Sequence, residues 1–110
     1  MSEMNTLDRL VALIASRRTA AADTSYTRQL LDAGPERCAK KFGEEAIETV
    51  IAAIKGEPVA LKAEAADAIY HLLVLLESRD VALADVLTVL DGRMGTSGVA
   101  EKAARTGGAA

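Results

Sequence analysis

Aromatic residues are nearly absent from this chain. Its 110 residues include no tryptophan, one phenylalanine and two tyrosines, 3% in all, although half of the sequence is apolar. A core without large rings must be packed by Ala, Leu, Val and Ile, which favours closely approaching helices over a sheet, so an all-α fold is expected. Cysteine is as scarce. Cys38 alone cannot close an internal disulfide, which suits a reducing cytoplasm, and with no second thiol or paired histidine nearby it reads as a packing residue.

Positive charge is in short supply too. Thirteen Lys and Arg against sixteen Asp and Glu leave a formal net charge of -3, and the basic residues are scattered. Nucleic acid and acidic membrane surfaces need a basic face to displace counterions, so neither is an expected partner. Long hydrophobic runs are missing as well. The N-terminal "MSEMNTLDRL" is acidic, "LVALIA" is too short for a secretory signal, and "IYHLLVLL" falls far short of the ~20 apolar residues that cross a bilayer. A soluble cytoplasmic protein is expected.

The length suits one domain, near the size at which a second subunit helps to bury enough surface. Helices as apolar as these leave faces that so short a chain does not cover alone, so a homodimer is expected.

What the chain does contain is helical periodicity. Leu7, Leu10, Val11 and Ile14 follow the i, i+3, i+4, i+7 spacing, with Thr6 as the predicted N-cap and the helix running to about Arg18. "SYTRQLLDAG" reads as a short helix opened by Thr24 or Ser25 and closed by Gly34. Gly34-Pro35 then breaks the chain, glycine ending one helix in the left-handed region and proline starting the next. That next helix should run from Pro35 to about Lys55, "KGEP" should interrupt it, and a long helix should follow from Pro58 to about Arg79. A last helix carries Val86, Leu87 and Leu90 to about Arg93. The expected architecture is a four- to five-helix bundle over residues 1–95, with 96–110 as a mobile tail poor in apolar residues and rich in glycine.

Five carboxylates interrupt the two long helices: Glu44, Glu45, Glu48, Glu64 and Asp67. Glu45 and Glu48 are three residues apart, as are Glu64 and Asp67, so each pair shares one helix face. Counting from Gly56, Glu48 lies eight residues before and Glu64 eight after; Glu45 lies eleven before and Asp67 eleven after. In an antiparallel hairpin these pairs stand at matching heights, about 12 and 16 Å from the turn, and can form a square between facing helices. Lys41 and His71, each fifteen residues from Gly56, fall one turn further along. Four such acids repel one another unless a cation joins them, and hard oxygen ligands on stiff helices suit Mg²⁺ or Mn²⁺ with coordination positions left for water and phosphate. An exposed charged helix face is the simpler alternative, but Ile47, Val50, Ile51 and Ile54 around one pair and Ala65, Ala68, Ile69 and Leu72 around the other argue against it.

"KFGEEAIETVIAA" followed by "EAADAIYHLLVLL" resembles the EExxE and ExxD signature of the MazG-like all-α nucleoside triphosphate pyrophosphohydrolases. "SYTRQLLDAGPERCAKKFGEEA", Tyr70-His71 and the "SGVAEKAAR" tail are similar to one branch, the phosphoribosyl-ATP pyrophosphohydrolases of histidine biosynthesis. The resemblance covers about Thr24 to Arg105. It implies a homodimeric helical bundle that hydrolyses 1-(5-phospho-β-D-ribosyl)-ATP to the AMP derivative and pyrophosphate, the second step of histidine synthesis. Phe42 departs from it, standing where a smaller aliphatic residue is expected.

By that resemblance Glu45, Glu48, Glu64 and Asp67 hold Mg²⁺ against the triphosphate oxygens and water is the nucleophile. Glu44 and Glu45 are the candidate catalytic acids, Glu44 as general base or outer ligand. Lys40 and Lys41 are candidates for phosphate charge, Lys41 the better placed in its KxGEE context, while Gly43 either admits close backbone approach or serves helix packing. His71, Tyr26 and Tyr70 are candidate substrate contacts, the tyrosines to stack on adenine or bond ribose hydroxyls. Arg28 and Arg93 are candidates for the ribosyl 5-phosphate. Three other readings compete. A house-cleaning (d)NTP pyrophosphohydrolase would use the same square with another base pocket. A non-catalytic di-iron-like bundle would want Glu-x-x-His in place of Glu-x-x-Asp, and a purely structural protein would leave the mirrored acids unexplained.

Overall fold

A computed structural model describes residues 4–22 and 24–95. Five α-helices account for most of them, and no strand occurs among the described residues: α1 Thr6–Ser16, α2 Tyr26–Ala33, α3 Pro35–Lys55, α4 Pro58–Ser78 and α5 Leu83–Met94, with a 3₁₀ turn at Arg17–Thr19 after α1. The expected all-α bundle is therefore observed. The expected tail at 96–110 lies outside the described residues.

Local chemistry sets the boundaries. Asn5, not Thr6, caps α1: its side-chain oxygen accepts the Asp8 N–H at 2.8 Å and the Asp8 carboxylate accepts the Asn5 N–H at 3.3 Å. This reciprocal pair satisfies two orphan donors where Thr6 would satisfy one. Ser25 caps α2, its hydroxyl accepting the Arg28 N–H at 3.1 Å. Gly34 follows α2 with φ 97° and ψ 173°, a positive-φ region essentially reserved for glycine, and Pro35 opens α3. Gly34 thus has an extended ψ and not the left-handed helical value expected of it.

The α3–α4 hairpin is the axis of the molecule. Gly56 ends α3 in the left-handed region at φ 67° and ψ 36°, with the Gly56 N–H bonded to Ala53 O and the Glu57 N–H to Ala52 O. Pro58 then starts α4, so the chain reverses within two residues. Ile14 of α1, Leu30 of α2, Cys38 of α3 and Leu73 and Val74 of α4 form the buried core, with Leu10, Val11, Leu31, Tyr70, Leu75, Leu76 and Leu83 packed around it. Each such aliphatic side chain contributes roughly 1.5–3 kcal/mol by leaving water. Cys38 is a packing residue as expected, 1% exposed, with Sγ donating to Leu30 O at 3.2 Å.

This core sits at the end of the hairpin away from Gly56. There Arg18 ties the 3₁₀ turn to the C-terminus of α4: its guanidinium donates to the Glu77 carboxylate at 2.6 Å, the Glu77 carbonyl at 2.7 Å and the Asp80 carboxylate at 2.8 Å. Two of these acceptors belong to Glu77 in the last turn of α4, where cations are favoured, and the third to Asp80, two residues beyond its end. α5 buries no residue completely.

Candidate functional site

The antiparallel register set by the Gly56 turn brings Glu45 and Glu48 of α3 onto Glu64 of α4. One carboxylate oxygen from each of the three falls within 4.8 Å of the others. Helix geometry supplies the two from α3, since a three-residue step keeps both on one face; the two-residue reversal supplies the third. Two of these carboxylates each carry an oxygen, Glu45 Oε2 and Glu64 Oε2, that is sealed from solvent and has no hydrogen-bond donor. Buried acceptors without partners are uncommon in native proteins and call for an explanation.

The electrostatics express the same crowding. Glu64 is pushed from its ordinary 4.5 up to about 7, first because its carboxyl shares a hydrogen bond with Glu48, then by burial, then by the negative charges of Glu48, Glu45 and Asp67. Without a cation the cluster retains a proton near neutral pH. Asp67 is exposed and outside the converging three, although its charge reaches Glu64. The fourth corner of the expected square thus stands back from the other three.

Glu44 points to solvent and pairs with Lys41 at 3.3 Å, which together with the nearby Tyr26 hydroxyl raises the Lys41 pKa. Lys40 is exposed and has no ion-pair partner among the described residues. Gly43 is exposed on α3, and a Cβ built there meets no atom within 4 Å, so close helix packing does not require glycine at this position.

His71 is 6% exposed and lies beyond the acids, as its distance from Gly56 implies. Burial lowers its pKa, with the charge of Lys41 adding to that and those of Glu45, Asp67 and Glu44 opposing it, so the ring is neutral near pH 7. Two tyrosines flank it edge-on, Tyr70 with its ring centroid at 4.9 Å and Tyr26 at 6.1 Å. Tyr70 is partly buried and its hydroxyl bonds Thr27 Oγ1, whereas Tyr26 is largely exposed. Thr27 was not legible as a site neighbour. It sits in the same "SYT" stretch as Tyr26, but only the packing of α2 on α4 pairs it with a hydroxyl forty-three residues away.

Arg28 is occupied elsewhere. It grips Asp32 at 2.9 Å and donates to Ala20 O at 2.6 Å, which ties α2 to the preceding loop. Arg93 lies in the last turn of α5 and is likewise not free.

The fold and site together define an all-α protein with an acidic cluster facing across its two long helices. Residues 7–94 match the family described as phosphoribosyl-ATP pyrophosphohydrolase, and the chain belongs to that family. Curated relatives agree in length as well as sequence. A phosphoribosyl-ATP pyrophosphatase of Cereibacter sphaeroides (strain ATCC 17029) is 55% identical over 102 residues, 93% of this chain and 99% of the relative. Another from Dinoroseobacter shibae is 57% identical over 102 residues, 93% of this chain and all of the relative. A third, from Ruegeria sp. (strain TM1040), is 56% identical over 105 residues, 96% of this chain and again all of the relative. No described helix is long and apolar enough to cross a membrane.

Proposed function

We propose that this chain hydrolyses 1-(5-phospho-β-D-ribosyl)-ATP to the corresponding AMP derivative and pyrophosphate, the second step of histidine biosynthesis, with Mg²⁺ or Mn²⁺ as cofactor. Family membership supports the substrate. The observation that carries the chemistry is the convergence of Glu45, Glu48 and Glu64 with two buried oxygens that lack donors. Hard carboxylate oxygens fit a hard divalent cation, which would also displace the proton held on Glu64. Glu45, Glu48 and Glu64 would hold the ion, with Asp67 within reach of the same charge.

When bound, such an ion supplies Lewis acidity to phosphate oxygens and lowers the pKa of a water. Water delivers the oxygen that replaces the bridge between the α- and β-phosphates, and pyrophosphate leaves with the bridging electrons. Glu44, paired with Lys41 at 3.3 Å, is the candidate acceptor for the proton of that water. Lys41 would contribute positive charge toward the leaving phosphates and Lys40 is free to join it, while Tyr26, Tyr70 and His71 form the wall at the end of the site away from the turn.

A homodimer belongs to the same proposal. Ile47, Val50, Ile51, Ile54 and Val59 are all exposed on the half of the hairpin that carries the acids. On α3 they recur at i, i+3, i+4 and i+7, a continuous apolar stripe of the kind that marks an interface and not scattered surface residues.

The test is pyrophosphate release from phosphoribosyl-ATP, beside ATP and a dNTP panel, with and without Mg²⁺. Mg²⁺-dependent release from phosphoribosyl-ATP is the expected result. Release from dNTPs only would move the function to nucleotide clearance, and no release from any of them would leave the acids without a catalytic role.

A further inference from the structure

Three buried side-chain atoms lack any hydrogen-bond partner among the described residues: Glu45 Oε2, Glu64 Oε2 and His71 Nδ1. A cation accounts for the two oxygens but leaves the nitrogen unexplained. His71 is not a generic core histidine with its polar atoms satisfied. It lies one helical turn beyond Asp67 on α4, opposite the stretch of α3 that carries Lys41, Glu44 and Glu45, and the Glu45 carboxylate acts on its ring more strongly than any other charge. A buried ring nitrogen on α4 and a buried carboxylate oxygen on α3, each unpaired, thus lie about one helical turn apart in height along the same hairpin.

The ring is fixed for this task. Tyr70 and Tyr26 meet it edge-on at interplanar angles of 75° and 88°, and Tyr70 is itself anchored through Thr27. Rotation of the imidazole would have to displace these neighbours. The tautomer is decided by what each nitrogen faces. A bare Nδ1 would leave two buried acceptors without a donor, whereas an Nδ1–H relayed by a water would satisfy both groups.

We infer that His71 is a positioning residue for Glu45: as the neutral Nδ1–H tautomer it donates to the Glu45 carboxylate through one enclosed water, and so fixes how that carboxylate faces Glu48 and Glu64. The inference rests on the proposed metal site. It assigns His71 no contact with the reacting phosphates. Carboxylates that hold a metal are commonly oriented by such a hydrogen bond, and losing it lowers metal affinity about 10–100-fold.

His71 is the only histidine in the chain, so nitrogen-15 NMR of untagged, Mg²⁺-loaded protein reads its tautomer without assignment. One protonated nitrogen at Nδ1 is expected, and an Nε2–H tautomer overturns the inference. Mn²⁺ binding to the nucleotide-free protein, followed by electron paramagnetic resonance, gives a second readout. In His71→Asn the amide NH₂ occupies nearly the place of Nδ1, whereas in His71→Gln it occupies that of Nε2. His71→Asn is expected to keep Mn²⁺ affinity within about threefold of wild type while His71→Gln loses it about 10–100-fold. Equal losses in both variants would make His71 a packing residue, and no loss in either would remove it from the site. If wild type releases pyrophosphate from phosphoribosyl-ATP and binds Mn²⁺ while the variants fail to separate, this inference alone falls. If wild type does neither, the functional reading falls and takes the inference with it.

Discussion

Leu73 and Val74, at the end of the α3–α4 hairpin away from its turn, are 5% and 0% exposed, whereas Ile54 and Val59 beside Gly56 are 81% and 80% exposed. All four are aliphatic residues on the same two helices. The difference lies in what covers them: α1 and α2 pack over the first pair, and no described element packs over the second. One half of the hairpin is thus stabilised within the chain, while the other carries carboxylates that repel one another and a stripe of isoleucine and valine in water. Burial that one chain completes for itself yields a folded core. Burial left incomplete, with unpaired acceptors among it, marks the half that the proposed cation, nucleotide and second copy would complete.

The largest expected break in this contrast is chemical. Glu48→Gln removes a charge from the acidic half and should lower turnover of phosphoribosyl-ATP about a thousandfold, equivalent to about 4 kcal/mol. Circular dichroism should show the helices intact, because Glu48 is exposed and outside the core. Retained turnover would remove Glu48 from the mechanism.

Next comes the packing contrast itself. Leu73→Ala should destabilise the chain by about 3 kcal/mol through lost burial and a residual cavity, while Ile54→Ala should cost under about 0.5 kcal/mol at dilutions where no association occurs. Denaturant melts measure both. A rise in the Ile54→Ala penalty with protein concentration would place this face in the proposed dimer, and a flat response would remove it.

A smaller effect is pH-dependent, and it arises in the acidic half, where Glu64 is displaced. Glu64 holds its proton up to about pH 7 in the folded protein but releases it near 4.5 when unfolded. The folded state therefore binds more protons in that window, so this contribution is complete below about pH 4.5 and is lost as pH rises through 7. Metal-free protein should lose thermal stability from pH 5 to 8, and Glu64→Gln should flatten that slope. Addition of Mg²⁺ at pH 8 should restore stability to wild type and not to the variant.

The smallest concerns the covered half. Asn5→Ala removes the cap of the helix that lies over α4 and should cost about 1 kcal/mol, with catalysis unchanged. Thermal melts measured together with pyrophosphate release would check both parts.

Much of this contrast was legible beforehand. The bounds of α3 and α4 followed from Gly34-Pro35 and from the Gly56–Pro58 stretch, because glycine and proline act through local dihedrals that need no distant partner. Meeting of the acids followed from equal spacing about Gly56. Where reading fell short, distant contacts were at issue. Asp67 stands at the same nominal height as Glu45 but outside the converging three, because a residue count fixes height along a helix and not how the two faces turn toward each other. Arg28 was a candidate for phosphate until α2 placed it on Asp32 and Ala20 O. Asn5 displaced Thr6 as cap because two adjacent residues both carried suitable side chains, and only the observed chain direction chose between them.

By itself, then, the sequence determined the helices, their turns and the meeting of acids across the hairpin, since these depend on local periodicity, on glycine and proline at the breaks, and on spacing within about eleven residues of Gly56. Tertiary structure decided which apolar faces are covered, which carboxylate of the four stands apart, and that a lone histidine lies buried with an unpaired nitrogen. Those outcomes depend on how the faces of α3 and α4 turn toward each other and on how α1 and α2 pack against the hairpin, and no local spacing encodes that packing.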